Sequence, residues 1–247
     1  MNLAYRGAPF HGWQRQPGDV SVQSTIEDAL GVILRQNVPI TGAGRTDAGV
    51  NAHRMYAHLD LPDGFDPRRG GFLRGLNSLV GRDIAIYGFF PVADDAHARF
   101  DATERTYRYF VHTSKSPFIS DLSWFASNSL DFEAMNRSAA LLIGTKDFTS
   151  FSRLHTDVKT NICDLRAAAW HQTADDRWYF EISANRFLRN MVRAVVGTLV
   201  EVGRGKMAPE GILEILERKD RCAAGTSMPG EALFLWDVKY PYQVDDF

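Results

Sequence analysis

The chain has 247 residues, with 28 Lys and Arg against 30 Asp and Glu, a net charge of -2, 45% apolar and 23% charged residues. That balance excludes wholesale disorder and a globally basic nucleic-acid coat, and it supplies apolar mass for one large or two small domains. Apolar runs are too short to span a bilayer and no basic-then-apolar leader opens the chain, so a soluble, cytoplasmic protein is expected; the two cysteines, Cys163 and Cys222, give neither a disulfide framework nor a zinc CxxC.

Ser21 is a plausible N-cap for a helix carrying Val22, Ile26, Leu30, Ile33 and Leu34 on one side. The next segment alternates, with Met55, Ala57, Leu59 and Leu61 on one face and Arg54, Tyr56, His58 and Asp60 on the other, which predicts a half-buried strand. "GGFLRGLNSLV" reads as a short helix and "DIAIYGFFPV" as a strand. "RTYRYFVH" alternates again, placing Tyr107, Tyr109 and Val111 together. Asp131 caps a helix whose apolar side is Phe132, Met135, Ala139, Leu142 and Ile143. Trp178, Phe180 and Ile182 alternate in a strand whose hairpin partner is "RAAAWHQT", with the turn at "ADDR". A long helix is predicted from about Arg186 to Val202, with Arg189 one turn before Arg193 on the same face. Pro209 opens the last helix, and "ALFLWDVKY" is the closing strand.

Neighbouring strands joined by short turns, with helices interspersed, predict an α+β fold: two subdomains, residues 1–100 and 101–247, sharing one mixed, mostly antiparallel sheet flanked by helices. The cations are 22 Arg against 6 Lys, and many of the arginines cluster: Arg68, Arg69 and Arg74; Arg99, Arg105 and Arg108; Arg186, Arg189 and Arg193. Arginine grips phosphate bidentately and stacks on bases, but arginine-favouring codon usage and solvated helix faces explain the same counts.

The stretch "GAGRTDAGV" is the chemically pointed one. The third glycine of a dinucleotide fingerprint would fall at Asp47, whose carboxylate would repel a pyrophosphate; a P-loop fails because Val50 and Asn51 follow where Lys and Ser/Thr are required. A metal site drawn from Asp47, His53, His58 and Asp60 is disfavoured, since alternation sends His53 opposite to His58 and Asp60. The loop suits the mounting of one carboxylate. Gly44 and Gly49 allow tight turning, Ala43 and Ala48 leave room for a ligand, and Arg45 can hold Asp47 ionised for use as nucleophile or base. An Asx-turn, with Asp47 bonded to its own backbone, accounts for the same residues equally well.

The loop resembles the signature of the A-type tRNA pseudouridine synthases, and other blocks do so in the same order over nearly the whole chain. They are "FHGWQRQP" and "SVQ" at the start, "HARFDATERTYRYF" from His97, "GTKDFTSF" from Gly144, "NRFLRNMVRAVVGTLVEVG" from Asn185 and "LFLWDVKYP" at the end. Departures are Asn51, where the family usually has His, and Arg6, where it often has Asp. The resemblance implies isomerisation of uridine to pseudouridine at positions 38, 39 and 40 in the anticodon stem-loop of tRNA, by a homodimer, without cofactor or metal.

It further implies that Asp47 is the nucleophile, attacking ribose C1′ or uracil C6 or assisting elimination, on a base flipped out of its stack. Arg45 would fill the vacated space or grip a phosphate, Tyr107 would stack on the uracil, and Arg193 would pair with the carboxylate. Thr46, His97, Arg99, Arg105, Arg108, Phe148, His155, Lys159, Arg189 and Leu233 would contact substrate, and Leu233 or Phe234 would line the pocket. Two rival readings remain: a non-catalytic RNA-binding protein on the same scaffold, and a metal-dependent hydrolase using His53, His58 and Asp60.

Overall fold

A computed structural model describes residues 1–153, 160–242 and 244. The chain forms two compact units, one of Met1–Thr103 with the segment from Leu235 onward, the other of Glu104–Phe234. Both are α+β, as the alternation of short-period and helical segments requires, and no helix among the described residues is long and apolar enough to cross a membrane.

In the first unit the strands are β1 (Asn2–Tyr5), β2 (Thr41–Gly42), β3 (Asn51–His58) and β4 (Ile84–Gly88). The order is β4-β1-β3 followed by β10 (Leu233–Lys239), with β2 added to β3. β1 runs antiparallel to both neighbours, with Leu3 opposite Met55 and Ile86, and β2 sets Gly42 opposite Ala57. Helix α1 (Val22–Leu34) starts at the expected cap: Ser21 accepts from the Ser24 N–H while the Ser24 side chain returns a bond to the Ser21 backbone, closing a capping box. It ends at Arg35 in the left-handed conformation. Helix α2 (Phe72–Leu79) packs on α1 and β4, and Leu3, Val22, Ile26, Leu30, Met55 and Leu76 are fully buried. Tyr56 departs from the predicted pattern. It lies on the face expected to meet solvent yet is buried, against the rings of Phe90 and Tyr240, because both faces of β3 are covered there.

In the second unit β5 (Glu104–His112), β9 (Arg177–Ala184), β8 (Ile162–Ala174) and β7 (Gly144–Asp147) pair antiparallel in that order, and the two-residue β6 (Trp124–Phe125) runs parallel to β5. The predicted hairpin of β8 and β9 forms, with Ala174 opposite Arg177 across the turn. Asp131 accepts from the Ala134 N–H and caps α3 (Phe132–Ala140), which packs on β8 and on α4 (Met191–Gly203). Helix α5 (Gly211–Arg218) begins two residues after Pro209. Helix α4 starts five residues later than the apolar periodicity suggests, because Asn190 sits in the left-handed region at φ 67°. Arg189 therefore lies in the turn before α4, and the one-turn, same-face relation to Arg193 is corrected. The core of this unit holds Tyr109, Met135, Leu142, Phe148, Phe151, Leu165 and Phe180.

Candidate active site

The Asp47 loop is held on two sides. Behind it, β2 pins its entry to the end of β3, and the Ala43 N–H donates to the Tyr56 carbonyl at 2.8 Å. In front, the segment Gly7–Trp13 lies across it. The Trp13 N–H donates to the Thr46 carbonyl at 3.2 Å, the Gly49 N–H to the Phe10 carbonyl at 3.4 Å, and the Gly7 N–H to Asn51 Oδ1 at 2.8 Å. The hydroxyls of Tyr5 and Thr46 share a buried bond of 2.8 Å, which fixes the residue immediately before Asp47 from a strand of the sheet. The Val50 N–H donates to the Asp47 carbonyl at 3.1 Å, closing a tight turn through Gly49 at φ 77°.

Three glycines of this clamp are required by close approach: a Cβ on Gly7 would meet the Val50 carbonyl oxygen and the Gly49 backbone well inside contact distance. Gly12 has φ 91°, and a Cβ on it would lie 2.5 Å from the Thr46 carbonyl; a Cβ on Gly42 would lie 2.5 Å from the Trp13 indole. Gly44, by contrast, has open space around it and no positive φ, so its expected role as a turning point is corrected: the tight turn is at Gly49. Asp47 is left half-buried between the buried Thr46 and the exposed Ala48, a carboxylate presented on a fixed backbone. Arg45 is exposed and forms no ion pair among the described residues, so the expected bond to Asp47 is absent. Holding a long exposed side chain in one geometry gains little in water.

In the second unit Tyr107 is half-buried on β5, opposite Ile182, its ring edge-on to Phe187 at 5.1 Å. Tyr109, two residues on, is fully buried; desolvation pushes its phenol well above the ordinary range, the nearby Glu231 adds to the shift and Arg193 opposes it. Arg193 stands in the first turn of α4, where its Nε donates to the Met228 carbonyl while the Met228 N–H donates to the Arg193 carbonyl. The guanidinium is thus oriented by backbone rather than left as a solvated helix charge. Arg105 donates to the Asn185 carbonyl at 3.1 Å. Arg108 is engaged by Glu181 at 2.7 Å and lies over the Tyr179 ring at 4.5 Å. Phe148 is fully buried beside Phe151, so its ring belongs to the core and offers no open face, and Leu233 is buried at the start of β10. The exposed Arg189 contributes its carbonyl to the Arg153 N–H. His155 and Lys159 lie outside the described residues.

His97 and Arg99 sit in a turn of the first unit that His58 Nδ1 anchors by accepting the Ala98 N–H at 3.0 Å. His58 is therefore a structural acceptor through Nδ1. His53 stacks on Trp236 at 4.1 Å with the planes 12° apart. His53 and His58 are thus engaged elsewhere, and no three His, Cys, Asp or Glu among the described residues converge on one point. Arg68 and Arg69 share the Asp66 carboxylate at 3.0 and 3.2 Å, an exposed contact of little energetic weight.

The residues that sequence reasoning did not assign are those that fix the loop: Tyr5, Gly7, Gly12, Trp13 and Asn51. Gly12 and Trp13 stood only within the block "FHGWQRQP" and Asn51 only as a departure from the family pattern, because the clamp joins segments about forty residues apart and its contacts are not local.

A family model described as tRNA pseudouridine synthase matches residues 138–241. The chain is 54% identical over 98% of its length to tRNA pseudouridine synthase A of Parabacteroides distasonis, of which 95% is covered. It is 50% identical to the protein of the same name from Bacteroides fragilis, covering 98% of this chain and 96% of that one, and 39% identical to that of Bacillus subtilis, covering 96% and 97%.

Proposed function

This chain belongs to the tRNA pseudouridine synthase A family, whose members are isomerases, and on that premise we propose that it converts uridine to pseudouridine at positions 38, 39 and 40 in the anticodon stem-loop of tRNA. The N1–C1′ bond breaks, a C5–C1′ bond forms, and a proton passes from C5 to N1, with no net redox change. Asp47 is the nucleophile. The observation that carries the reading is the mounting of this one carboxylate: the backbone on both sides of it is tied to Trp13 and Phe10, the Thr46 hydroxyl beside it is bonded to Tyr5, and Asp47 itself is half-buried. A group that must meet a flipped nucleotide within a fraction of an ångström needs that fixity, because proximity contributes to rate only where geometry is held.

The roles of Tyr107, as a face for the uracil, and Arg193, as a cation for the carboxylate, rest on the family resemblance. So do the homodimer and its cytoplasmic setting. The orientation of Arg193 by the Met228 carbonyl suits a fixed cation. Arg45 is exposed and unpaired among the described residues, which suits a side chain that fills the gap left by a flipped base or meets a phosphate.

Purified protein given tRNA lacking pseudouridine in the anticodon arm is expected to form it, with full turnover in EDTA. Asp47→Ala is expected to abolish turnover while tRNA binding stays within about tenfold, ~1.4 kcal/mol. Absence of turnover with the unaltered protein would assign the scaffold to RNA binding alone, and loss in EDTA would favour the hydrolase.

A further inference from the structure

The turn His97–Asp101 of the first unit is closed by five hydrogen bonds donated by backbone N–H groups, four of them to side chains. The His97 N–H donates to Asp101 Oδ2 at 2.7 Å, the Ala98 N–H to His58 Nδ1 at 3.0 Å, and the Asp101 N–H to the His97 carbonyl at 3.0 Å. The N–H groups of Arg99 and Phe100 both donate to His97 Nδ1, at 3.1 and 3.2 Å. Two tyrosines brace it from outside: Tyr240 donates to the Ala98 carbonyl at 2.6 Å and Tyr242 to Asp101 Oδ2 at 3.2 Å. With each of these amides engaged, the backbone of the turn is held in one geometry.

This rigid frame carries a phenylalanine outward. Phe100 is 74% exposed, its ring backed by the His97 imidazole at 4.2 Å and 32°, with the Arg99 guanidinium 5.8 Å from its centroid. A lone exposed apolar side chain is ordinary and needs no explanation. Phe118, 93% exposed and without a ring contact among the described residues, is such a case. Phe100 differs in having a fixed backbone, an aromatic backing and an adjacent cation, the three elements of a stacking platform for nucleobases.

Its location separates it from Asp47. The Asp47 loop enters β3 at Asn51 and the turn is anchored on His58 at the other end of the same strand. Seven residue steps at ~3.3 Å each give about 23 Å. That is several nucleotides along a stacked strand at ~3.4 Å per base.

We propose that Phe100, backed by His97 and flanked by Arg99, is a second contact site that stacks on an unpaired base of the tRNA several nucleotides from the uridine being isomerised. The inference rests on tRNA being the substrate. Stacking of this kind tolerates any base, so the site adds affinity and register without specifying sequence.

The test is equilibrium binding of unmodified tRNA over a series of salt concentrations, for the unaltered protein, Phe100→Ala, Phe100→Leu and Phe100→Tyr, with pseudouridine formation measured on the same tRNA. Phe100→Ala is expected to weaken binding roughly 5- to 100-fold, Phe100→Leu nearly as much, and Phe100→Tyr no more than about twofold. The slope of log affinity against log salt should be the same in all four, since no phosphate contact is removed. Binding of Phe100→Ala within twofold of the unaltered protein overturns the proposal, as does full affinity in Phe100→Leu, or a slope that falls by about 0.7 to 0.9, which would assign the effect to a displaced cation. An unaltered protein that binds tRNA through Phe100 but forms no pseudouridine would refute the proposed reaction and leave this site standing. Active protein indifferent to Phe100 would do the reverse.

Discussion

Gly42→Ala tests whether the Asp47 loop takes its position from the Tyr5–Trp13 cluster. The added Cβ would lie 2.5 Å from Trp13 Cε2 and 2.6 Å from Cζ2, against an ordinary contact of 3.4 Å or more. The indole must therefore retreat by roughly 1 Å, and it is buried, so the movement cannot dissipate into solvent. Overpacking on this scale costs about 1–3 kcal/mol. In a chain of this size each kcal/mol lowers the melting temperature by about 2–4 °C, so a fall of roughly 2–12 °C is expected. The retreat is passed on. The Trp13 ring lies 6.0 Å from that of Tyr5, Tyr5 is bonded to the Thr46 hydroxyl, and the Trp13 N–H holds the Thr46 carbonyl. Displacement of a reacting group by about 1 Å can cost on the order of 100-fold in rate. Turnover measured well below the new melting temperature is therefore expected to fall by more than the lost stability explains. Unchanged turnover together with a lowered melting temperature would refute the coupling between Trp13 and the loop; an unchanged melting temperature would refute the packing argument itself.

Asn51→Ala leaves the Gly7 N–H, buried with a 1% exposed asparagine as its acceptor, without that bond, and a loss of about 1–3 kcal/mol is expected in chemical denaturation, with turnover reduced because Asn51 closes the loop that carries Asp47. Acid should weaken the fold before the carboxylates titrate. Burial, and secondarily His97, holds the His58 imidazole below its ordinary range, and burial does the same to His112. A histidine whose folded-state affinity for protons is lowered contributes stability that is complete above about pH 6.5 and is lost as pH falls through the folded-state value. The melting temperature should then decline from pH 7 toward 5. His58→Asn, whose Oδ1 can replace Nδ1 as acceptor for the Ala98 N–H, should flatten part of that decline, and equal declines in the two proteins would refute the assignment to His58.

Periodicity carried most of the fold. Ser21 and Asp131 were readable as caps because a side-chain acceptor before an apolar repeat is a local signal, and both make the expected bond. The hairpin at Ala174–Arg177 was readable because its strands are adjacent in sequence. Helix α4 was misplaced at its start because its apolar repeat continues through Phe187 and Leu188, while the interruption depends on one asparagine adopting a left-handed backbone. The two-residue strands β2 and β6 carry too few residues for any period to register.

The site was legible to a different depth at each residue, and the reason is distance along the chain. Asp47 could be singled out because its loop excludes the other glycine-rich chemistries by its own residues. What holds Asp47 could not, because Tyr5, Gly7 and Trp13 reach the loop across the sheet and around a helix. The arginines show the same limit from the other side. As letters, Arg45, Arg105, Arg108 and Arg193 are equivalent cations; in the folded chain Arg108 is neutralised by Glu181, Arg105 and Arg193 are turned onto backbone carbonyls, and Arg45 is exposed and unpaired among the described residues. A cation already satisfied by a partner within the fold gives up that partner if it is to bind phosphate, whereas an exposed guanidinium gives up only water. Arg45 is for that reason the residue of the four best prepared to meet a nucleotide, a ranking that follows from partners and could not follow from composition.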